Sequence, residues 1–143
     1  MKTRLVLLAL AFAPMAFAQP ASSQLGRWVT ESGNLEVDVA ACGDAFCGTV
    51  VRVLANRSMS TPGADMAPAD AKPALGMKIL TDLRPAGTGE WKGEIYNREN
   101  GKTYSALLSV PAPDQLLIRA YLGLPVFGKT QVWRRVAQPE AAK

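Results

Sequence analysis

The sequence predicts an all-β domain of eight short strands, either an up-and-down antiparallel barrel or a sandwich. Three observations predict it. Apolar and polar residues alternate with a period of two along most of the chain, as in half-buried strands. Gly, Pro, Asn and Asp residues, which favour turns, separate the alternating segments. No stretch of ten residues carries a convincing helical stripe.

The strands follow one another at short intervals. Leu35 to Ala41 and Trp91 to Tyr96 show the clearest alternation, and Asn100-Gly101 is a good hairpin turn because both residues tolerate positive φ. The predicted strands are residues 27–31, 35–41, 49–54, 78–83, 91–96, 103–110, 116–122 and 129–136. We favour the barrel, because closure removes the edge strands that an exported all-β protein must otherwise protect. An eight-stranded barrel either fills its interior with side chains or holds one small ligand.

The N-terminal segment predicts export. Residues 1–18 have a short basic start, an apolar run and an Ala-Phe-Ala ending, which is typical of a secretory signal peptide cleaved after Ala18. The apolar run is too short to span a bilayer, and Pro14 interrupts it. We therefore expect a single barrel domain over residues 19–136 and a flexible tail over 137–143. We place the protein in the periplasm or outside the cell, with no transmembrane segment in the mature chain.

Composition excludes several kinds of site. The chain has no His, which excludes Ser-His-Asp triads and His-ligated metal, and its two Cys are too few for a four-cysteine metal site. Loss of Lys2 and Arg4 with the leader reduces Lys+Arg from 16 to 14 against 12 acidic residues, a net charge of +2. No basic cluster indicates nucleic-acid binding, and no motif indicates a cofactor or a catalytic centre.

Cys42 and Cys47 flank four residues between two predicted strands. In an oxidising compartment we expect them to form a structural disulfide that pins this hairpin. Such a bridge is worth roughly 2 kcal/mol. The alternative is a redox pair, but dithiol oxidoreductases usually place two residues between the cysteines at a helix start.

The segment from Asn56 to Leu75 interrupts the strand pattern with Pro, Gly and many Ala residues. It is too long for an ordinary hairpin loop. We expect a solvated, partly disordered surface loop, and the alternative is a flap over one mouth of the barrel.

The first strand opens with Gly26-Arg27-Trp28. Trp28 is expected to plug the barrel floor. The triplet also resembles the Gly-x-Trp with which lipocalin-type barrels begin, where an Arg from the last strand packs across the Trp. Arg134 or Arg135 would fill that role through a cation–π contact.

The last two strands carry the candidate binding residues. Arg119 and Tyr121 share one face of their strand, and Gln131 and Trp133 share one face of the next. Facing inward, they would line a cavity for an amphipathic ligand, with aromatic wall and with Arg119, Tyr121 and Gln131 holding an anionic head. In the alternative, Arg119 and Lys129 point to water and Trp133 lies on a partly exposed face. Periodicity does not decide between these arrangements. The candidate ligand-binding residues are Trp28, Arg119, Tyr121, Gln131 and Trp133.

Seven ordered segments resemble a known family over nearly all of the expected mature chain. They are residues 26–28, Cys42-Gly43 with Cys47-Gly48, and residues 76–80, 91–96, 101–104, 119–123 and 127–135. They are similar to the secreted bacterial domain of unknown function 2147, which is lipocalin-like. The resemblance implies a small exported barrel with a suspected role in binding small amphipathic molecules, and it supplies no catalytic residues. The chain departs from the family pattern in the Ala/Pro-rich segment before Gly76, at Asn97-Arg98 and at Ala120.

Our leading hypothesis is a periplasmic or secreted lipocalin-like protein that binds a small apolar or amphipathic molecule in the barrel. The alternative is a non-enzymatic envelope protein with a packed core, which contacts a protein or the cell wall through its surface. That alternative predicts an exposed apolar patch of at least a few hundred Å². An enzyme ranks last, because it would require a concave site with at least two titratable groups of shifted pKa.

Overall fold

Eight strands form, and each pairs with its chain neighbour. The computed structural model describes residues 11–13 and 23–137. The strands are β1 (Gly26–Val29), β2 (Leu35–Cys42), β3 (Ala45–Val53), β4 (Lys78–Pro85), β5 (Glu90–Tyr96), β6 (Thr103–Ala112), β7 (Gln115–Tyr121) and β8 (Lys129–Arg135). All neighbours are antiparallel, and β1 also pairs with β8. The sheet is therefore a closed up-and-down barrel, which confirms the predicted fold and excludes the sandwich.

Apart from residues 11–13, the predicted signal peptide lies outside the described residues, as do residues 138–143 of the predicted tail. Within the described ranges, no helix has the length and apolarity needed to cross a membrane.

The β2–β3 hairpin is tighter than the sequence indicated. β3 begins at Ala45, four residues before the predicted start, and only Gly43 and Asp44 form the turn. Gly43 has a φ of 67°, a conformation that such a turn requires of one residue. Cys42 and Cys47 form the predicted disulfide, with their Cα atoms 5.5 Å apart. The bridge thus cross-links two adjacent paired strands.

One contiguous cluster of apolar side chains fills the inside of the barrel, since strands contribute alternate residues to it. The packing is tight at mid-height, where a Cβ on Gly48 would lie 2.9 Å from the Leu80 Cβ and 3.0 Å from the Val37 Cγ1. The buried members are Trp28, Leu35, Val37, Val39, Val50, Ala74, Ile79, Leu80, Leu83, Trp91, Ile95, Ala106, Leu108, Val110, Leu116, Ile118 and Trp133.

Trp28 and Arg135 close one end of the barrel, which we call the closed end. Trp28 is fully buried, and its indole Nε1 donates to the backbone oxygen of Gln24 at 3.0 Å. The guanidinium carbon of Arg135 lies 4.1 Å from the Trp28 ring centroid, a cation–π contact. The predicted stacking role therefore belongs to Arg135, whereas Arg134 is exposed.

Arg135 also ties the segment before β1 and the β6–β7 turn to β8 at this end. Its guanidinium donates to the backbone oxygens of Pro113 at 2.6 Å, Leu25 at 2.7 Å and Ser23 at 2.8 Å. Gly26 makes the approach possible, because a Cβ there would lie 2.7 Å from Arg135 Nη1, and its φ of 116° is unfavourable for other residues. The Gly-x-Trp triplet and the final Arg are thus one structural unit.

The opposite end, which we call the loop end, carries the connections β1–β2, β3–β4, β5–β6 and β7–β8. The β3–β4 connection, residues 54–77, is the longest of these. The β7–β8 connection contains a short 3₁₀ helix, Pro125–Phe127. Trp28 and Arg135 thus occupy one end of the barrel, and these connections lie across the other.

We expect Arg135→Ala to lower the free energy of unfolding by about 3 kcal/mol, because three hydrogen bonds from a charged donor and a cation–π contact are lost. Arg135→Lys should lose less, since it keeps the charge but not the three-way contact. Denaturant unfolding measures the effect. Arg134→Ala removes an exposed guanidinium one residue away and should change stability by no more than about 0.5 kcal/mol. Equal losses in the two Ala variants would contradict the role of Arg135.

Candidate functional site

The structure separates the five predicted binding residues. Trp28 lies at the closed end beneath Arg135. Gln131 and Trp133 face the interior from β8, where Trp133 Nε1 donates to Gln131 Oε1 at 2.7 Å. Arg119 and Tyr121 lie on the outer face of β7. Of the two arrangements that periodicity left open, the one in which Arg119 and Tyr121 share the interior with Gln131 and Trp133 does not form.

The register of β7 against β8 explains this correction. Ile118 pairs with Gln131 and Leu116 pairs with Trp133. Both Leu116 and Ile118 are fully buried in the core, so alternation places Leu117 and the two residues at 119 and 121 outside. The sequence concealed this arrangement because β7 carries leucine on both of its faces.

Arg119 supports the β7–β8 connection from outside the barrel. Its Nε donates to the backbone oxygen of Pro125 at 2.6 Å, and its Nη2 donates to that of Val126 at 3.3 Å. Its Nη1 donates to the Thr130 hydroxyl at 2.9 Å. The oxygens that satisfy this guanidinium belong to the chain itself.

Tyr121 is buried beneath the same connection. Only 5% of its surface is exposed, and it is not part of the interior cluster. A Cβ on Gly128 would lie 2.8 Å from the Tyr121 Cβ and 2.6 Å from the backbone oxygen of Ala120. Gly128 therefore allows the connection to pack directly against β7.

The interior changes character towards the loop end. Near the closed end, β6, β7 and β8 present Leu108, Leu116 and Trp133 to the inside. Nearer the loop end, Ala106 pairs with Ala120, so two small side chains replace large ones. Ala106 is fully buried in the interior cluster, and Ala120 is partly buried against that cluster, so this part of the wall is built from small side chains.

Polar groups border these alanines. Tyr104 shares the inner face of β6 with Ala106, is partly buried, and accepts a hydrogen bond from Asn100 Nδ2 at 2.8 Å. Gln131 is partly buried, and Lys129 shares its face of β8 at the exposed rim. The mouth site, as we call it, consists of Tyr104, Ala106, Ala120, Lys129 and Gln131.

The chemistry of the mouth site favours an anionic or oxygen-rich head group. The Gln131 oxygen already accepts from the Trp133 indole, so its amide nitrogen is the group left to donate. Lys129 adds an ammonium at the rim. The sequence analysis did not include Lys129 and Tyr104 among the candidate residues, although their parity places them on the same faces as Gln131 and Leu108.

The β3–β4 connection is folded against the loop end. Arg57 forms a β-bridge with Asp65, while Met66 and Ala74 are buried, and Ala74 belongs to the interior cluster. The side chain of Asn34, in the β1–β2 turn, accepts from the Arg57 backbone N–H at 2.8 Å and donates to its oxygen at 2.9 Å. These contacts hold the connection against the loop end, while most of its residues are exposed to solvent as expected of a surface loop.

Glu99, in the β5–β6 turn, holds the other side of this connection. Its carboxylate accepts hydrogen bonds from the hydroxyls of Ser58 and Ser60 and from the backbone N–H groups of Met59 and Ser60. These bonds, the Ser58 hydroxyl foremost, lower the pKa of Glu99 against a smaller opposing effect of burial. No sequence signal linked residues 40 positions apart, so this anchor was not predicted.

The outer surface has a groove of about 400 Å³ over β4, β5 and β6. Its charged lining residues are Asp82, Arg84, Lys92 and Glu94. Hydrogen bonds to Asp44 and Asp82 raise the pKa of Arg84, and the same contact with Arg84 lowers the pKa of Asp44. Both shifts favour the charges that these groups already carry at neutral pH, as in a structural ion-pair network.

A second outer groove of about 210 Å³ lies beside Arg119 and Leu117. Within residues 11–13 and 23–137, no cluster of three or more His, Cys, Asp or Glu side chains is arranged to hold a metal ion.

Comparisons with known proteins agree with this geometry. Residues 26–135 match a family model described as "Uncharacterized protein conserved in bacteria (DUF2147)". A solved structure described as "Protein HP1028 from the human pathogen Helicobacter pylori belongs to the lipocalin family" is similar, with a TM-score of 0.57 and 20% sequence identity. The match covers 79% of this chain and 82% of that one, and at this identity it shows the fold alone. A search of curated proteins found no match.

We expect the Glu99 anchor to open in acid. A carboxylate whose pKa is lowered by folding stabilises the folded form above its unfolded pKa, about 4.5, and loses that effect as pH falls through the lower folded value. Amide hydrogen-exchange protection at Met59 and Ser60 should therefore decrease on acidification below about pH 4.5. Glu99→Gln should weaken protection at every pH and abolish this transition. A transition of equal size in that variant would show that another group is responsible.

Proposed function

The chain belongs to DUF2147, a family of uncharacterised proteins conserved in bacteria, and from this premise we propose that it is a non-enzymatic binding protein. It holds a small apolar or amphipathic molecule at the loop end of its lipocalin-like barrel. The observation that carries the proposal is the mouth site. Here two paired alanines and a partly buried Gln131 stand in place of the large apolar side chains found near the closed end. This position is nearer the loop end than the site in our sequence hypothesis, which included Trp28 at the closed end.

The difference between the two ends of the barrel supports this ligand position. Arg135 and Trp28 block the closed end, and the interior cluster fills the middle. A ligand of this barrel would place its apolar part against Ala120, on the loop-end side of the buried Ala106. Its head would meet the Gln131 amide and the Lys129 ammonium, which can form charge-assisted hydrogen bonds with a carboxylate or a phosphate. Lys129 thus takes the role that the sequence hypothesis gave to Arg119.

Export to the periplasm or beyond is part of the proposal. The leader-like composition of residues 1–18 supports it, as does the Cys42–Cys47 disulfide, since such bonds persist in oxidising compartments. Edman degradation or the intact mass of protein from the secreting host would test export, with Gln19 expected as the first residue.

A second candidate function is supported by the packed interior. The contiguous apolar cluster fits a barrel that acts through its outer surface on a protein or the cell wall, without an internal ligand. This candidate predicts that native protein carries no small molecule, which the following measurement decides.

We expect native mass spectrometry of protein purified from the periplasm to show a discrete adduct that disappears on denaturation. Solvent extraction then identifies its class. Ala120→Phe should reduce adduct occupancy at least about tenfold, because the larger ring occupies the space proposed for the ligand. Lys129→Gln should reduce it less, since it removes one charge at an exposed rim.

Two variants serve as controls. Arg134→Gln, on the outer face of β8, should leave occupancy unchanged. Arg119→Ala should also leave it unchanged, because its guanidinium lies outside the barrel. A bare mass in several expression hosts, or an adduct lost in Arg119→Ala but retained in Ala120→Phe, would overturn the mouth site.

A further inference from the structure

The large apolar side chains that are exposed on this barrel all lie at the same end. Within residues 23–137 they are Val53, Leu54, Met59, Leu75, Leu122, Leu124, Val126 and Phe127. Each belongs to the loop-end terminus of β3, to the β3–β4 connection or to the β7–β8 connection. Scattered exposed apolar residues need no explanation, but their concentration at one end of a small protein indicates a contact surface.

Four of these residues lie within one short segment, Leu122–Gly128, which we call the β7–β8 tip. Leu122 is 56% exposed, Leu124 61%, Val126 72% and Phe127 79%. The most exposed pair lies in the 3₁₀ helix that projects between β7 and β8.

The fold holds the tip in this exposed conformation. Arg119 donates to the oxygens of Pro125 and Val126, and the Gly128 N–H donates to Pro125 at 3.0 Å. Gly128 lies flat against Tyr121. A flexible apolar loop could fold back onto the barrel, whereas these bonds fix the backbone of the tip in a conformation that leaves Phe127 exposed.

The charge around the tip selects the partner. Residues 115–137 contain Arg119, Lys129, Arg134 and Arg135 and no Asp or Glu. Arg119 and Lys129 border the tip directly. Two carboxylates from elsewhere lie near this hairpin. Glu31 accepts from the Val132 N–H, further along β8, and Glu90 lines the outer groove beside Arg119 and Thr130. The β3–β4 and β5–β6 connections carry both signs of charge, so the cationic surplus is local to this hairpin.

We propose that the β7–β8 tip docks on an anionic lipid bilayer. Val126 and Phe127 enter the interface between head groups and acyl chains, and Arg119 and Lys129 lie at the level of the anionic head groups. Apolar side chains flanked by cations are the combination that binds such surfaces, and the two contributions add. This surface shares Lys129 with the mouth site, but it does not depend on a ligand there.

Vesicle sedimentation tests the proposal directly. The full-length mature chain should bind vesicles of phosphatidylcholine mixed with an equal part of phosphatidylglycerol, and bind phosphatidylcholine alone more weakly. Added salt should weaken binding to the anionic vesicles, because it screens the cations. The double variant Val126→Ser with Phe127→Ser should bind at least about tenfold more weakly, since it removes the inserted apolar surface.

Matched variants assign the effect to the tip. Leu75→Ser removes an apolar side chain of comparable exposure from the β3–β4 connection, and binding should stay within about twofold of the native chain. Ala120→Phe, which blocks the mouth site, should bind vesicles normally. The docking surface and the proposed ligand site can therefore fail independently.

A fluorescence measurement reports on depth. The native tryptophans Trp28, Trp91 and Trp133 are all at least 95% buried. A Phe127→Trp variant therefore adds one exposed indole, whose emission should shift to shorter wavelength with anionic vesicles and be quenched by lipids brominated on their acyl chains.

Absence of vesicle binding by the native chain would overturn the proposal. So would undiminished binding by the double Ser variant, or a dimer in solution that the double variant converts to monomer.

Discussion

Closure of the sheet between β1 and β8 is the constraint on which the rest of the structure depends. Only two residue pairs join these strands, Trp28 with Arg135 and Val29 with Arg134. So short a seam is reinforced by side-chain contacts, because Arg135 stacks on the indole and binds three backbone oxygens. With that end fixed, the inward and outward sides of all eight strands follow from alternation.

The architecture was predictable because period-two alternation and turn residues are local signals. The existence of all eight strands, the disulfide and the Gly-x-Trp contact with a C-terminal Arg could be inferred from residues close in sequence or from their resemblance to lipocalin-type barrels. The faces of β7 could not, because Leu116 and Leu117 point in opposite directions and are equally apolar. Register against β8 settles the choice, and register depends on pairing across the β7–β8 connection.

The candidate site was predictable only in part, since the sequence identified the right strands but not the right side chains. Gln131 and Trp133 do face inward. Arg119 was expected to bind the ligand's anionic head group, because a guanidinium inside the barrel would need an anionic partner. Outside the barrel it finds its acceptors in Pro125, Val126 and Thr130 instead. The hydrogen bonds of Glu99 could not be predicted either, because its partners lie 39 to 41 residues earlier in the chain.

The contacts of Arg135 have a consequence for how the chain folds. Its bonds to Leu25 and Ser23 span 110 and 112 residues, nearly the whole domain. Pairs so distant in sequence form late, after hairpins such as β2–β3 that close over a few residues. In a chain that emerges from the ribosome or a translocation pore N-terminus first, Trp28 can pair with β2 but lacks Arg135 until the final strand is released. Until then β1 is an exposed edge, and this interval is when the protein is most open to chaperones and to misassembly.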